Sequence, residues 1–347
     1  MNNKPVLSSS LIQPKTLASL LVVLSALVIV ACSSTPERPA WLDNPDSSYP
    51  AATHLTATGS ADNRQTAADR AISNLAKIFE VNVQERSTDF SSARVNAGQG
   101  QLQITNEQKV TRAVSTETNQ VLQGAQVVEY WDIEPGENQQ ERVYALAVLA
   151  KQPAASRFRQ SILAADREIR DLIRYASVTA NNPLSALSAL KRARSAQIQR
   201  DQLNQRLMIV ADGRSITGQY DQAAVDTLIR NALGTLPISV QAGDPSVKAE
   251  LQRALTELGV KTVAQSAYVL RGFTDLAPVS EQQGWFWLRG SYELILQHEG
   301  VVMARKRWPV KISATDPALL QQRARDELNR KLPGYVFELL SSEPGAL

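Results

Sequence analysis

Cysteine occurs once in the 347 residues, as Cys32, and histidine twice, as His54 and His298. A single cysteine excludes any disulfide within the chain and any thiolate-rich zinc site. Neither histidine has a Cys, Asp or Glu at metal-ligand spacing, and His298-Glu299 reads as an exposed turn pair. A Gly-x-Ser-x-Gly elbow is absent, and Gly98-Gln99-Gly100, Gly213 and Gly218 lack the Lys-Ser/Thr of a phosphate loop. Acid pairs such as Asp166 with Glu168 and Asp326 with Glu327 lie among arginines on helical stretches, as solvated faces do. These gaps predict a protein that is not an enzyme and holds no metal or soluble cofactor.

Charge of one sign is also missing. Lysine and arginine number 37 against 34 acids, and removing residues 1–31, which hold Lys4 and Lys15 and no acid, takes the net charge from +3 to +1. Nucleic acid would call for a clearly basic domain, so it is not an expected partner.

The longest apolar run, Leu17 to Val30, is interrupted by Ser19 and Ser25 and falls short of the roughly 20 residues that cross a bilayer. It follows a polar start whose charges are Lys4 and Lys15 and ends at Ile29-Val30-Ala31-Cys32. That order is a signal peptide with a lipobox: two aliphatic positions, a small residue that enters the peptidase, then the thiol that takes a diacylglycerol. Cleavage before Cys32 followed by N-acylation leaves two or three chains on the protein; at about 0.8 kcal/mol per buried CH₂ they anchor it firmly. Ser33, rather than Asp, follows the cysteine, and by resemblance to lipoprotein sorting in Gram-negative envelopes this implies the periplasmic face of the outer membrane.

Periodicity predicts an α+β protein of two α+β domains. Residues 1–31 are the signal peptide and 32–50 the lipidated cysteine with a tether rich in Ser, Pro and Asp, in which Trp41 is expected to pack back on the domain that follows. The first domain, 51–152, has a strand His54–Thr58 ended by Gly59 and a helix from Arg64 to Phe79 with Ala67, Ala71, Leu75 and Ile78 on one face. The segment from Val81 to residue 121 stays open between helix and strand. Strands Ala125–Ile133 and Arg142–Leu149 form a hairpin through the turn Glu134–Asn138.

Residues 153–204 read as a helical hairpin, Ala154–Val178 and Leu184–Leu203, broken by Asn181-Asn182-Pro183. The second domain, 205–341, reads as strand Arg206–Val210, helix Asp221–Leu233, strand Ile238–Gln241 and helix Pro245–Leu258. Long strands Ala267–Asp275, Trp285–Gln297 and Val301–Ile312 and a helix Asp316–Leu340 follow, leaving 342–347 as a tail. In the second long strand Phe286, Leu288, Tyr292, Leu294 and Leu296 alternate with polar residues. In the third, Val302, Ala304, Trp308, Val310 and Ile312 do.

The phrase Pro39-Ala40-Trp41-Leu42-Asp43-Asn44-Pro45, then Leu55–Ala61 with Gly59, then a helix containing Ala67-Ala68-Asp69-Arg70-Ala71, resembles the Lpp-twenty family of outer-membrane lipoproteins over about residues 38–150. The resemblance implies a long helix lying across an antiparallel sheet and brings no catalytic residues. By element order, with Tyr268-Val269-Leu270-Arg271-Gly272 before two long strands, the second half looks like the αβ domains of envelope proteins such as the amino-terminal domain of TolB and a flagellar H-ring protein.

Trp285, Trp287, Arg289 and Trp308, near Arg305, Lys306 and Arg307, stand out as a candidate interface, since Trp and Arg are enriched where binding energy concentrates. The sequence therefore predicts a non-enzymatic, outer-membrane-anchored scaffold or assembly factor for an envelope structure, a flagellar one among the candidates. Its partners would be the membrane, through the lipid, and other envelope proteins. The alternative is a lipoprotein that activates a cell-wall enzyme.

Overall fold

The computed structural model describes residues 38–95, 124–133 and 142–342, with 82–95 as backbone only. Ile29, Val30, Ala31 and Cys32, residues 96–123, the turn Glu134–Asn138 and the tail from residue 343 lie outside the described residues.

The first sheet is antiparallel, in the order β1 (His54–Ala61), β3 (Arg142–Ala150), β2 (Ala125–Ile133). Its central strand β3 is apolar on both faces because both are covered. Val143, Ala145, Ala147 and Leu149 meet helix α1 (Arg64–Val95), while Leu146 and Val148 meet Trp41, which is 2% exposed in the turn Ala40–Leu42. Trp41 thus closes the far side of the sheet, as expected.

Helix α1 starts where Asn63 Oδ1 accepts the Thr66 amide at 2.8 Å. Two expectations about it fail. The inward stripe is Ala67, Ala71, Leu75 and Phe79, because four-residue steps from Ala67 lead to Phe79; Ile78 is exposed. The helix also runs on through Val81-Asn82-Val83 to Val95 instead of ending near Phe79.

Gly59 does not end β1, which continues to Ala61. It marks the point where α1 crosses the strand backbone to backbone. A Cβ at Gly59 would lie 2.6 Å from the Ala67 carbonyl oxygen and overlap the Ala71 amide. The unburdened glycine and the two alanines permit that approach.

Helix α2 (Lys151–Arg174), a π-turn at Tyr175–Thr179 and helix α3 (Pro183–Val210) form the hairpin. Asn182 caps α3, its Oδ1 accepting the Ser185 amide at 2.8 Å, with Pro183 at the first helical position. The predicted strand Arg206–Val210 is instead the last part of α3. A short apolar run fits either period, and here Leu207 continues the four-residue stripe from Leu203 into the first core.

Each hairpin helix serves two cores. Phe158 and Ile162 of α2 and Leu207 and Val210 of α3 pack under the first sheet. Ile169 and Ile173 of α2 and Leu184, Leu187 and Leu190 of α3 pack with the second. Between the two groups lies a buried polar layer. Arg200 donates from Nε to Asp166 at 3.0 Å and from Nη2 to the Ile216 carbonyl at 2.7 Å, beside the buried Gln197.

The second sheet is mixed. Helix α4 (Gln222–Gly234) leads into β4 (Pro237–Ala242), which runs parallel to β5 (Lys261–Thr262) and β6 (Tyr268–Leu276). Helix α5 (Pro245–Glu257), capped by Asp244, provides the return between them, and Gly259, at φ +79°, follows it. Strands β6, β7 (Ser280–Gln282), β8 (Trp285–His298) and β9 (Val301–Ala314) are antiparallel neighbours along β8.

Leu276 faces Gly290 while Ser280 faces Trp287, one residue out of step, so a bulge separates β6 from β7 on the same edge of β8. The two hairpins turn on Gln283-Gly284 and Glu299-Gly300, all four with positive φ, as two-residue turns that match strand twist require. Helix α6 (Pro317–Leu340), capped by Asp316, lies with α5 on one face of this sheet.

Candidate interaction surface

Alternation along β8 sends its side chains to two different environments. Phe286, Leu288, Tyr292, Leu294 and Leu296 face the helices. Trp285, Trp287, Arg289, Ser291 and Glu293 take the other face, on which no helix packs among the described residues. The register adds Lys311 opposite Arg289 and Arg307 opposite Glu293 from β9, with Phe273 and Asp275 from β6. Trp285 and Phe273 are each 44% exposed.

The charged groups on this face are ordered by the rings and by one another. The Arg289 guanidinium carbon sits 5.2 Å from the centre of the Trp287 ring and the Lys311 Nζ 5.5 Å from it. Arg271 lies 5.9 Å over Phe273. Arg307 donates from Nη2 to Asp275 at 2.5 Å and from Nε to Ser291 Oγ at 2.6 Å, while Arg305 pairs with Glu293. The hydrogen bond from Arg305 holds the Glu293 carboxyl below the usual range, and the same contact raises the Arg305 guanidinium. Gly290 allows β6 to close on β8; a Cβ there would lie 2.8 Å from Leu276 Cα.

Three of the four candidate interface residues therefore come together, and one does not. Trp308 is on the helix side, stacked on Tyr335 of α6 at 4.4 Å with 16° between the rings, and its Nε1 donates to Glu338 at 3.4 Å. The alternation grouping Trp308 with Val310 and Ile312 carried this split already. Burial would raise Glu338, but the 2.9 Å hydrogen bond and charge of Lys306 outweigh it and hold the carboxyl low. Nearby, burial, with help from Glu250 and Glu327, pushes the Tyr292 phenol up to about 12.

Phe273, Asp275, Arg271 and Lys311 join the surface though motif reading did not single them out. Only strand pairing could have found them, because they are distant in sequence from Trp285.

The histidines lie elsewhere. His54 Nδ1 is 2.9 Å from Thr53 Oγ1, and His298 packs on Tyr268 with ring centres 4.4 Å apart, part-buried at the strand end and not fully exposed as expected. Two adjoining grooves of about 460 and 690 Å³ run along the helical hairpin and share Glu168, Ser188 and Arg192. Among the described residues no group of three or more His, Cys, Asp or Glu is arranged to hold a metal, and no helix is long and apolar enough to cross a membrane.

Known proteins resemble the chain in part. No curated protein matches it. A minor lipoprotein of Acinetobacter baumannii shares 16% identity over 31% of this chain and 96% of its own, with a TM-score of 0.27. A secreted protein of Helicobacter pylori shares 14% identity over 83% of this chain and 97% of its own, with a TM-score of 0.37. A protein described as a lipoprotein from Caulobacter crescentus shares 19% identity over 34% of this chain and 99% of its own, with a TM-score of 0.25. The family comparison meets the resemblance carried by Trp41, Gly59 and the alanines of α1: residues 39–150 match the model of the LPP20 lipoprotein family.

Proposed function

We propose that the protein is a non-enzymatic scaffold or assembly factor, held at the periplasmic face of the outer membrane by the lipid on Cys32, that binds an envelope protein through the open face of its second sheet. The observation that carries this reading is the uncovered face on which Trp285, Trp287 and Arg289 stand together. Tryptophan and arginine on a rigid, solvent-facing sheet lose little freedom on docking, so their contacts count fully toward affinity. The lipid anchor adds to this by raising the local concentration of the binding face near the envelope.

The test is a photoreactive residue in place of Trp285 in the full lipidated chain, activated in intact cells. The reading expects a protein adduct, and absence of any adduct at that position overturns it. Deletion of the protein gives the pathway: loss of motility fits assembly of a flagellar structure. Altered peptidoglycan or β-lactam sensitivity with normal motility would replace that assignment with activation of a cell-wall enzyme.

A further inference from the structure

Arg289 and Lys311 are directly opposed across the β8–β9 pair. Like charges in that position destabilise a sheet. Of the other cations on this face, Arg305 has Glu293 and Arg307 has Asp275, while Arg271 lies over Phe273. Arg289 and Lys311 lie over the Trp287 ring, 5.2 and 5.5 Å from its centre, and pair with no carboxylate among the described residues. The fold thus maintains an unrelieved pair of cations beside a half-buried tryptophan, in a chain whose positive and negative residues nearly balance, at 37 and 34.

We infer that this pair is a carboxylate-recognition site, and that the partner on the open face is an acidic protein surface that sets an Asp or Glu between Arg289 and Lys311 with apolar atoms against Trp285. This inference rests on the docking role proposed for the face. Arg289 offers a planar fork suited to a carboxylate, and Trp287 holds both cations in place before binding. Asp275 and Glu293 on the same face argue for a protein over a membrane or nucleic acid. Both are engaged by Arg307 and Arg305, which leaves Arg289 and Lys311 as a local spot of charge beside Trp285 and Trp287, suited to one carboxylate flanked by apolar atoms and not to a continuous array of phosphates.

Substitution Lys311→Glu separates the site from the fold. It replaces the opposed like charges with an Arg289–Glu pair, so thermal unfolding of the variant should occur at the same temperature or a few degrees higher. Yet the protein adduct formed from position 285 in cells should fall at least tenfold. The adduct's partner peptide should be rich in Asp or Glu when mapped.

Binding of poly-L-glutamate to the full lipidated chain in phosphatidylcholine vesicles should also weaken at least tenfold in Lys311→Glu. It should hold within twofold in Arg170→Glu, which makes the same charge change on the exposed side of α2. A protein adduct that persists undiminished in Lys311→Glu overturns the carboxylate site while leaving the docking face intact. An adduct to lipid alone overturns the acidic-protein partner, and equal weakening by Arg170→Glu reduces the effect to net charge.

Discussion

Gly59 shows how much one side-chain atom decides. The α1 backbone lies against it, so Gly59→Val has no rotamer that escapes Ala67 and Ala71 and the helix must move off the sheet. Overpacking of this kind costs about 3 kcal/mol or more when backbone is the obstacle, read as a fall in the denaturant midpoint at unchanged slope.

Tyr292 is a second residue whose surroundings set its chemistry. Its phenol is raised to about 12 by burial, above the ordinary 10, so the folded state holds the proton more tightly than the unfolded chain. The associated stability is fully present below pH 10 and is lost as pH rises through about 12. With the ring only half-buried, solvent screening reduces the effect to about 1 kcal/mol. Tyr292→Phe should accordingly flatten stability between pH 10 and 12, measured by urea unfolding; an unchanged slope against pH would place the alkaline titration elsewhere.

Among the elements, the hairpin of α2 and α3 does most to organise the chain. Its apolar stripes change partners halfway, and the polar layer of Asp166, Arg200 and the Ile216 carbonyl sits at the changeover. Gly218 leaves room there, since a Cβ at that position would come within 3.1 Å of the Arg200 guanidinium. Removing Arg200 strands the largely buried Asp166 carboxylate, so Arg200→Ala should cost about 3 kcal/mol, measured by chemical denaturation. Replacing Asp166 and Arg200 together with leucine and methionine should cost far less, because the one carboxylate that loses its cation, Asp201, keeps the hydrogen bond from Gln197. If the double and single variants are equally unstable, packing and not charge pairing holds the layer.

For the whole molecule, sharing the hairpin couples the two cores. Unfolding either one strips apolar contacts from helices the other needs, so thermal unfolding should proceed as one transition with coincident near- and far-ultraviolet signals. Two separated transitions would show that the hairpin divides at its polar layer. The proposed membrane anchoring turns on Cys32. Cys32→Ser should accumulate as an uncleaved precursor without palmitate label and leave the membrane attachment to the uncleaved apolar segment; label that persists would end the lipobox assignment.

Much of this protein was legible in its sequence. The lipobox expected at Ile29-Val30-Ala31-Cys32 lies outside the described residues and calls for no fold, because a peptidase would read it as local covalent chemistry. The strands β2, β8 and β9 follow from period, and the break between α2 and α3 from Asn181-Asn182-Pro183, so they needed no tertiary information.

The misreadings share one physical cause. Arg206–Val210 became helix, α1 continued to Val95, and Gly59 became a crossing point because each outcome depends on what packs against the segment, which periodicity does not specify. The candidate interface shows the same division. The sequence reading grouped Trp285, Trp287, Arg289 and Trp308 in one interface, although the alternation of its strand already set Trp308 in phase with Val310 and Ile312. Only the strand register brought Lys311 opposite Arg289, because contacts between strands are fixed by the turns and bulges that align them, not by distance along the chain.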